Sequence, residues 1–275
     1  MGKIDYINAF PVYYGLDHGM LPDWIEMVSG PPSILNGMIQ SHELHLSPVS
    51  AAFYAVNHRE LLIMPDLSIS CHGEVLSVVL MTNHPVEELA GRKVLLTRDS
   101  ATAAALVRLV MKMNIEPGSD APEFSTGRVR EISDVPGDAD AALIIGDAAM
   151  TQPWEKRFRF RIDLGDMWHR MTGMPFVFAV WVIHRRDVDD FGLELHDALK
   201  ILHASRVKGY ENIDRIITSG AERLNLDTSY IRRYFDLLHC NLDRTKIKAL
   251  EHFTRLLHDQ GLLNEPVSVE LFPSP

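Results

Sequence analysis

Asn8, Ser47, Ser50, Ser100, Thr102 and the Gly146-Asp147 pair share a setting: each stands where an apolar run gives way to a helix-like segment. At such a junction the first backbone N–H groups of a helix lack an intrahelical partner and carry partial positive charge. Several junctions meeting in one cleft would present N–H groups and hydroxyls to carboxylates, and would steady negative charge that develops during a reaction. Each residue also fits a plain helix cap, so the functional reading rests on their convergence.

Other chemistry lacks its usual residues. The chain has no G-x-G-x-x-G, no G-x-x-x-x-G-K-[ST], no G-x-S-x-G and no H-E-x-x-H, which leaves nucleotide, serine-hydrolase and zincin readings unsupported. Among the histidines, His42 and His45 are three apart, but they fall where a loop runs into a strand and have no cysteine partner nearby, so no metal site is expected. Cys71 and Cys240 form no C-x-x-C pair, and both are expected reduced.

The elements that must position these residues follow from apolar periodicity. The first 110 residues read as α/β units with parallel strands: strand Ile4 to Ile7, helix Pro11 to His18, strand Ile25 to Val28, helix Pro31 to Ser41 and strand Leu44 to Leu46. Ser47 with Pro48 then reads as N-cap and first residue of a helix reaching Asn57. Strand Leu61 to Met64 precedes Val75 to Met81, a continuous apolar run suited to burial on both faces. A second α/β series contains strand Lys93 to Leu96, a helix opening at Asp99-Ser100-Ala101-Thr102, strand Ala141 to Ile145 and strand Phe176 to Ile183, with Glu116 to Gly137 mostly loop. Beyond Arg185 the period is helical.

The two strongest runs bracket the second series. This predicts an α/β protein of two lobes: residues 1–81 begin lobe one, 82–182 form an inserted lobe two, and 183–275 return to lobe one and add C-terminal helices. Ligands in such a plan bind in the interlobe cleft. At 275 residues, two lobes also suit the length.

Net charge is -10, from 27 basic and 37 acidic residues, without a Lys/Arg run, which excludes nucleic acid as partner. Residues 1–82 hold only Lys3 and Arg59 as cations, so an anion bound there must be held by neutral donors, with the acids lying mostly on outer faces. No cationic segment followed by an apolar one opens the chain, and no apolar stretch is long enough for a membrane span. A cytoplasmic protein without membrane association is expected.

Several segments carry a resemblance in one order over most of residues 4–186: Tyr6-Ile7-Asn8-Ala9-Phe10-Pro11, Pro65-Asp66-Leu67-Ser68-Ile69-Ser70, Gly73-Glu74-Val75-Leu76-Ser77-Val78, Ile144-Ile145-Gly146-Asp147, Asp163-Leu164-Gly165-Asp166-Met167-Trp168 and Thr172-Gly173-Met174-Pro175-Phe176. Together they resemble the chorismate dehydratases of the futalosine route to menaquinone. The helical tail matches only in character. The resemblance implies a type II periplasmic-binding-protein-like fold, a small dicarboxylate substrate (chorismate), loss of water and no cofactor.

Carried over by motif, Asn8 and Ser77 would be catalytic, and Tyr6, Ser47, Ser50, Ser100, Thr102, Gly146, Asp147 and Phe176 would bind substrate, with Asp147 also suited to capping. Phe178, on the same strand as Phe176, is expected in the core. Two other functions fit the plan: a small-acid-binding protein without catalysis, and the sister dihydroxynaphthoate synthase. The latter opens on a Ser-Pro-Cys-Pro-Asn-Asp-like stretch unlike the Tyr-Ile-Asn-Ala-Phe-Pro here.

Overall fold

The computed structural model describes residues 1–273. The chain opens with strand β1 (Gly2–Ile4), a tight turn at Ile7–Ala9 and helix α1 (Phe10–Gly15). Strand β2 (Val28–Gly30) pairs parallel with β1, and helix α2 (Pro32–Gln40) follows. Strand β3 (Leu46–Ser50), helix α3 (Ala51–Asn57) and strand β4 (Leu61–Cys71) complete the first part.

The middle of the chain supplies strands β5 (Val78–Thr82) and β6 (Lys93–Thr97), helix α4 (Ala101–Asn114), strands β7 (Glu123–Gly127) and β8 (Ala141–Ile145), helix α5 (Asp147–Thr151), strand β9 (Phe160–Asp163) and helix α6 (Leu164–Thr172). Strand β10 (Phe176–His184) leads to helices α7 (Asp187–Glu211), α8 (Ile213–Leu224) and α9 (Thr228–Leu237), strand β11 (Leu238–His239) and helix α10 (Arg244–Asp259).

Two large sheets result. One has the order β11-β4-β10-β3 and the other β7-β6-β8-β5-β9. The five-stranded sheet is buried on both faces. Val79, Met81, Leu95, Ala142 and Ile144 pack with Trp154 and Phe158 on one side, while Leu80, Val94, Leu96 and Leu143 face the main core on the other. This is the period-2 alternation of a strand whose two sides are both covered.

Several expectations are corrected. The four strands of the first sheet pair antiparallel throughout, and among the named strands parallel pairing joins β1 with β2 and β6 with β7 and β8. Apolar runs buried on both faces look alike in either sense, and β4 finds its partner in β10, which returns from the other sheet in the opposite direction. Strand β5 lies in the five-stranded sheet and β10 in the four-stranded one, each across the division expected at residues 82 and 182. Residues 123–127 form an edge strand inside the expected loop.

The helix expected to start at Ser47 starts at Ser50. Residues Leu46–Ser50 instead extend along β10, with Pro48 opposite Trp181. β3 is an edge strand, where a proline's missing N–H costs no ladder bond.

Helix α1, which carries the turn holding Asn8, is fixed by the tail. Ser205 on α7 donates to Val12 O at 2.7 Å and accepts from Leu16 N at 3.1 Å. The two helices cross closely because Gly15 and Gly209 stand at the contact. A Cβ on Gly209 would lie 2.1 Å from Pro11 O.

Candidate active site

A cavity of about 70 Å³ lies between the two sheets. The four-stranded side contributes Ser50, Ile69, Phe178 and Leu238, the five-stranded side Val78, Ile145 and Gly146, and the segments beside them Tyr6, Asn8, Ser77, Asp99 and Ser100. An adjoining outer cavity of about 320 Å³ shares Tyr6, Asp99 and Ile145 with it and adds Arg130, Asp147 and Arg223.

Two helices begin at the inner cavity. Ser50 caps α3, its Oγ accepting from Phe53 N at 3.4 Å, and Ser100 caps α4, accepting from Ala103 N at 3.1 Å. Capping occupies the oxygen of each hydroxyl as acceptor and leaves its proton to donate elsewhere. The two helix starts are tied together, because Ala52 N on α3 donates to Thr102 Oγ1 on α4 at 2.8 Å. Thr102 is thereby fully buried and does not line either cavity.

Ser77 is similarly prepared. Its Oγ accepts from Tyr234 Oη at 3.0 Å and its carbonyl accepts from Gly146 N at 2.7 Å. Burial pushes the Tyr234 phenol far above its ordinary pKa, so it stays a donor at working pH and the Ser77 proton is directed away from it. Gly146 has φ +62°, and a Cβ there would press on the Tyr6 ring at 3.3 Å; glycine suits the position on both counts. Burial beside Asp99 raises the Tyr6 pKa to about 12, which keeps that phenol neutral.

Asn8 sits on the turn between β1 and α1. Its Oδ1 is buried and has no hydrogen-bond partner among the described residues. An orphaned carboxamide oxygen in a cavity wall is unfavourable without a ligand, and it marks Asn8 as a group awaiting one.

Tyr6, Asn8, Ser50, Ser77, Ser100 and Gly146 are thus brought together in the inner cavity, and Asp147 joins Tyr6 in the outer one. Ser47 is not among them. It is fully buried against Gly2, donating to Pro48 O at 3.1 Å. Phe176 is also outside, packed among Trp168, Phe178 and Phe253. Phe178, expected in the core, packs its ring on Phe176 at 4.7 Å and also lines the cavity; the pairing of β10 with β4 shifts register between Val177 and Ala179.

Asp99, Arg130, Arg223 and Tyr234 were not found from the sequence. Asp99 is an exception to the expectation that the acids lie mostly on outer faces: it is 6% exposed, lines both cavities, and pairs with Arg130 at 3.2 Å. Its place beside Ser100, at a helix start, was the available signal. Tyr234 lies in an amphipathic helix whose pattern reads as core.

Asp147 shows what an acid costs there. Its Oδ1 is buried without a partner among the described residues, and burial raises its pKa against the opposing pull of Arg223. A carboxyl with a higher pKa folded than unfolded binds more protons in the folded state, so stability falls as pH rises through that window. Asp147→Asn keeps an acceptor for the Ile7 N–H and abolishes the titration. Urea denaturation at about pH 4 and about pH 7 should show the wild type losing stability relative to the variant at the higher pH; a constant difference contradicts this account.

Among the described residues, no group of three His, Cys, Asp or Glu side chains is arranged to hold a metal ion, and no helix is long and apolar enough to cross a membrane. The arrangement offers hydroxyls, a carboxamide and two helix starts to an anion, with the Arg130-paired Asp99 beside them and Asp5, Asp147 and Arg223 in the outer cavity.

Residues 1–259 match the family model described as menaquinone biosynthesis. The chain belongs to this family. Relatives include a chorismate dehydratase of Thermus thermophilus, 27% identical over 274 residues and 94% of each chain, and one of Campylobacter jejuni, 26% identical over 260 residues, covering 92% of this chain and 95% of its own. Solved structures of the same fold include an Archaeoglobus fulgidus protein (TM-score 0.75, 18% identity, 95% and 97% coverage). Another is the periplasmic aliphatic sulphonate binding protein of Escherichia coli (TM-score 0.65, 15% identity, 98% and 94% coverage). This member of the menaquinone-biosynthesis family therefore has the periplasmic-binding-protein-like fold, with a helical C-terminal part.

Proposed function

We propose that the protein is a chorismate dehydratase of the cytoplasm, a hydro-lyase that converts chorismate to 3-enolpyruvyl-oxybenzoate and water in the cavity between the sheets, on the futalosine route to menaquinone. The observation that carries the reading is the meeting of Asn8, Ser50, Ser77, Ser100 and Gly146 in one cavity between the two sheets. The names of the Thermus and Campylobacter relatives support it.

The chemistry suits these residues. The proton on the ring carbon bearing the ether is vinylogous to the ring carboxylate, so the electron pair left by its removal is delocalised onto that group. That pair becomes the third double bond of an aromatic ring as the neighbouring hydroxyl leaves with the C–O bonding pair, and the departing hydroxide with the proton makes water. No cofactor is required. The protein has to orient a dianion and stabilise developing negative charge. Helix starts at Ser50 and Ser100 receive a carboxylate, Ser77 donates beside the ring, and Asn8 orients the reacting carbons. The proton passes to a carboxylate of the substrate itself or to a water, since Asp99 is engaged with Arg130.

In this reading the two sheets are the cores of two lobes, and their separation admits substrate. The inner cavity of about 70 Å³ is smaller than chorismate, whose outer end extends into the adjoining cavity near Arg130 and Arg223. Closure excludes water from a carbanion-like intermediate.

The test is to mix purified protein with chorismate and follow the ring-diene absorbance. Its loss with appearance of the aromatic acid is expected. Saturable binding without spectral change would make the protein an acid-binding protein, and turnover of cyclic dehypoxanthine futalosine alone would make it the sister enzyme.

A further inference from the structure

The Asp163-Leu164-Gly165-Asp166 segment contributes nothing to either cavity wall, yet its first side chain is wired to one. Asp163 Oδ1 caps α6, accepting from Gly165 N at 2.9 Å and Asp166 N at 3.1 Å. The same carboxylate also accepts from Val75 N, at 3.1 Å to each oxygen, and from Leu76 N at 2.7 Å to Oδ2. It therefore joins both stretches by which the chain passes between the sheets, residues 72–77 and 164–175. Gly165 permits the approach, because a Cβ there would lie 2.4 Å from Gly73 O.

Between these bonds the backbone is strained. Leu76 has φ +62°, a region that leucine rarely adopts, and Ser77 N donates back to Val75 O at 2.7 Å to close a γ-turn around it. The Leu76 carbonyl accepts from Arg161 Nη2 at 2.7 Å. Both polar groups of the strained residue are thus held by charged side chains of β9, and the next residue is Ser77, whose carbonyl in turn accepts from Gly146 N.

We propose that Asp163 is a positioning residue for the dehydration: it holds Leu76 in its left-handed conformation and so sets Ser77 and Gly146 in the cavity wall. The proposal rests on the dehydratase reading for its kinetic arm only. A carboxylate is needed because both oxygens accept. An amide would turn its NH₂ against the N–H of Val75 or Leu76.

The experiment compares the wild type with Asp163→Asn, Asp163→Ser, and Asp163→Asn combined with Leu76→Gly, using chorismate turnover and backbone hydrogen exchange over residues 72–80. Serine still caps α6 but is too short to bridge to Leu76, so it preserves the fold if the asparagine variant does not fold. Both single variants should lose about tenfold or more in kcat with KM within about threefold, and the Leu76 and Ser77 amides should exchange faster. Glycine adopts positive φ freely, so Leu76→Gly should recover several-fold of the lost kcat although it removes a buried side chain. Wild-type kcat in the folded single variants overturns the proposal, as does a loss of kcat that glycine does not recover. Should the wild type leave chorismate unchanged, the dehydratase reading fails by itself, and unaltered exchange at Leu76 and Ser77 in the variants would then overturn the positioning role.

Discussion

Replacing Asn8 by alanine is expected to lower kcat by about 10²-fold, the size of effect that accompanies loss of correct positioning of the reacting atoms. Affinity for the aromatic product should change by only a few fold. The argument starts from the buried, unpartnered Oδ1 of Asn8 in the cavity wall. A carboxamide is a poor base, so its contribution is orientation and polarisation, which matter in the transition state more than in the bound product. Steady-state kinetics with chorismate, together with calorimetric titration of the product, separate the two. Unchanged turnover would take Asn8 out of the chemistry. Asp99→Asn is the natural contrast. With the proton passing to the substrate's own carboxylate or a water, removing this acid relieves repulsion of a dianion and should leave kcat within about threefold. A loss as large as that of Asn8→Ala would assign the base role to Asp99.

Gly209→Ala should be the most damaging single methyl in the protein. The added carbon would meet Pro11 O at 2.1 Å and Pro11 C and Cα at 2.8 Å, all backbone atoms of α1 that no rotamer change can move aside. Overpacking of this kind costs about 3 kcal/mol, against a gain of about 1 kcal/mol from placing alanine rather than glycine within a helix. A net loss of about 2 kcal/mol is therefore expected in urea denaturation. Because α1 follows directly on the Asn8 turn, kcat should fall as well. A stabilised variant would mean that α1 and α7 can separate without cost.

How much of this was legible in the sequence depends on what each signal encodes. Helix starts were readable to within a few residues because capping chemistry is local: Ser100 and Ser50 cap as their types suggest. The choice between Ser47 and Ser50 was not local. It turned on whether β10 would draw residues 46–50 into an edge strand, and β10 lies far along the chain. Phe176 and Phe178 share one aromatic cluster, and that the cavity reaches Phe178 but stops short of Phe176 is a tertiary fact that no periodicity reveals. The sense of the strands was misread because burial on both faces erases the alternation that separates antiparallel from parallel sheets. Arg130 and Arg223 reach the outer cavity from a loop and a tail helix, and Tyr234, on another tail helix, reaches Ser77 behind the wall; only tertiary contact brings them there. The scarcity of cations in residues 1–82 was informative nonetheless. The guanidinium groups near the site do come from elsewhere, with α3 and α4 presenting neutral donors.

The bonds from Asp163 to Val75 and Leu76 also bear on the order in which the chain folds. Strands β4 and β10 pair from Cys71 opposite Phe176, across roughly a hundred intervening residues, a separation at which closing an unstructured loop is slow and entropically costly. If the five-stranded sheet forms first, its two ends meet at Asp163, and the long loop shrinks to a short gap between segments already side by side. The central pairing of the other sheet would then form late, and slowing the early unit should delay everything downstream of it.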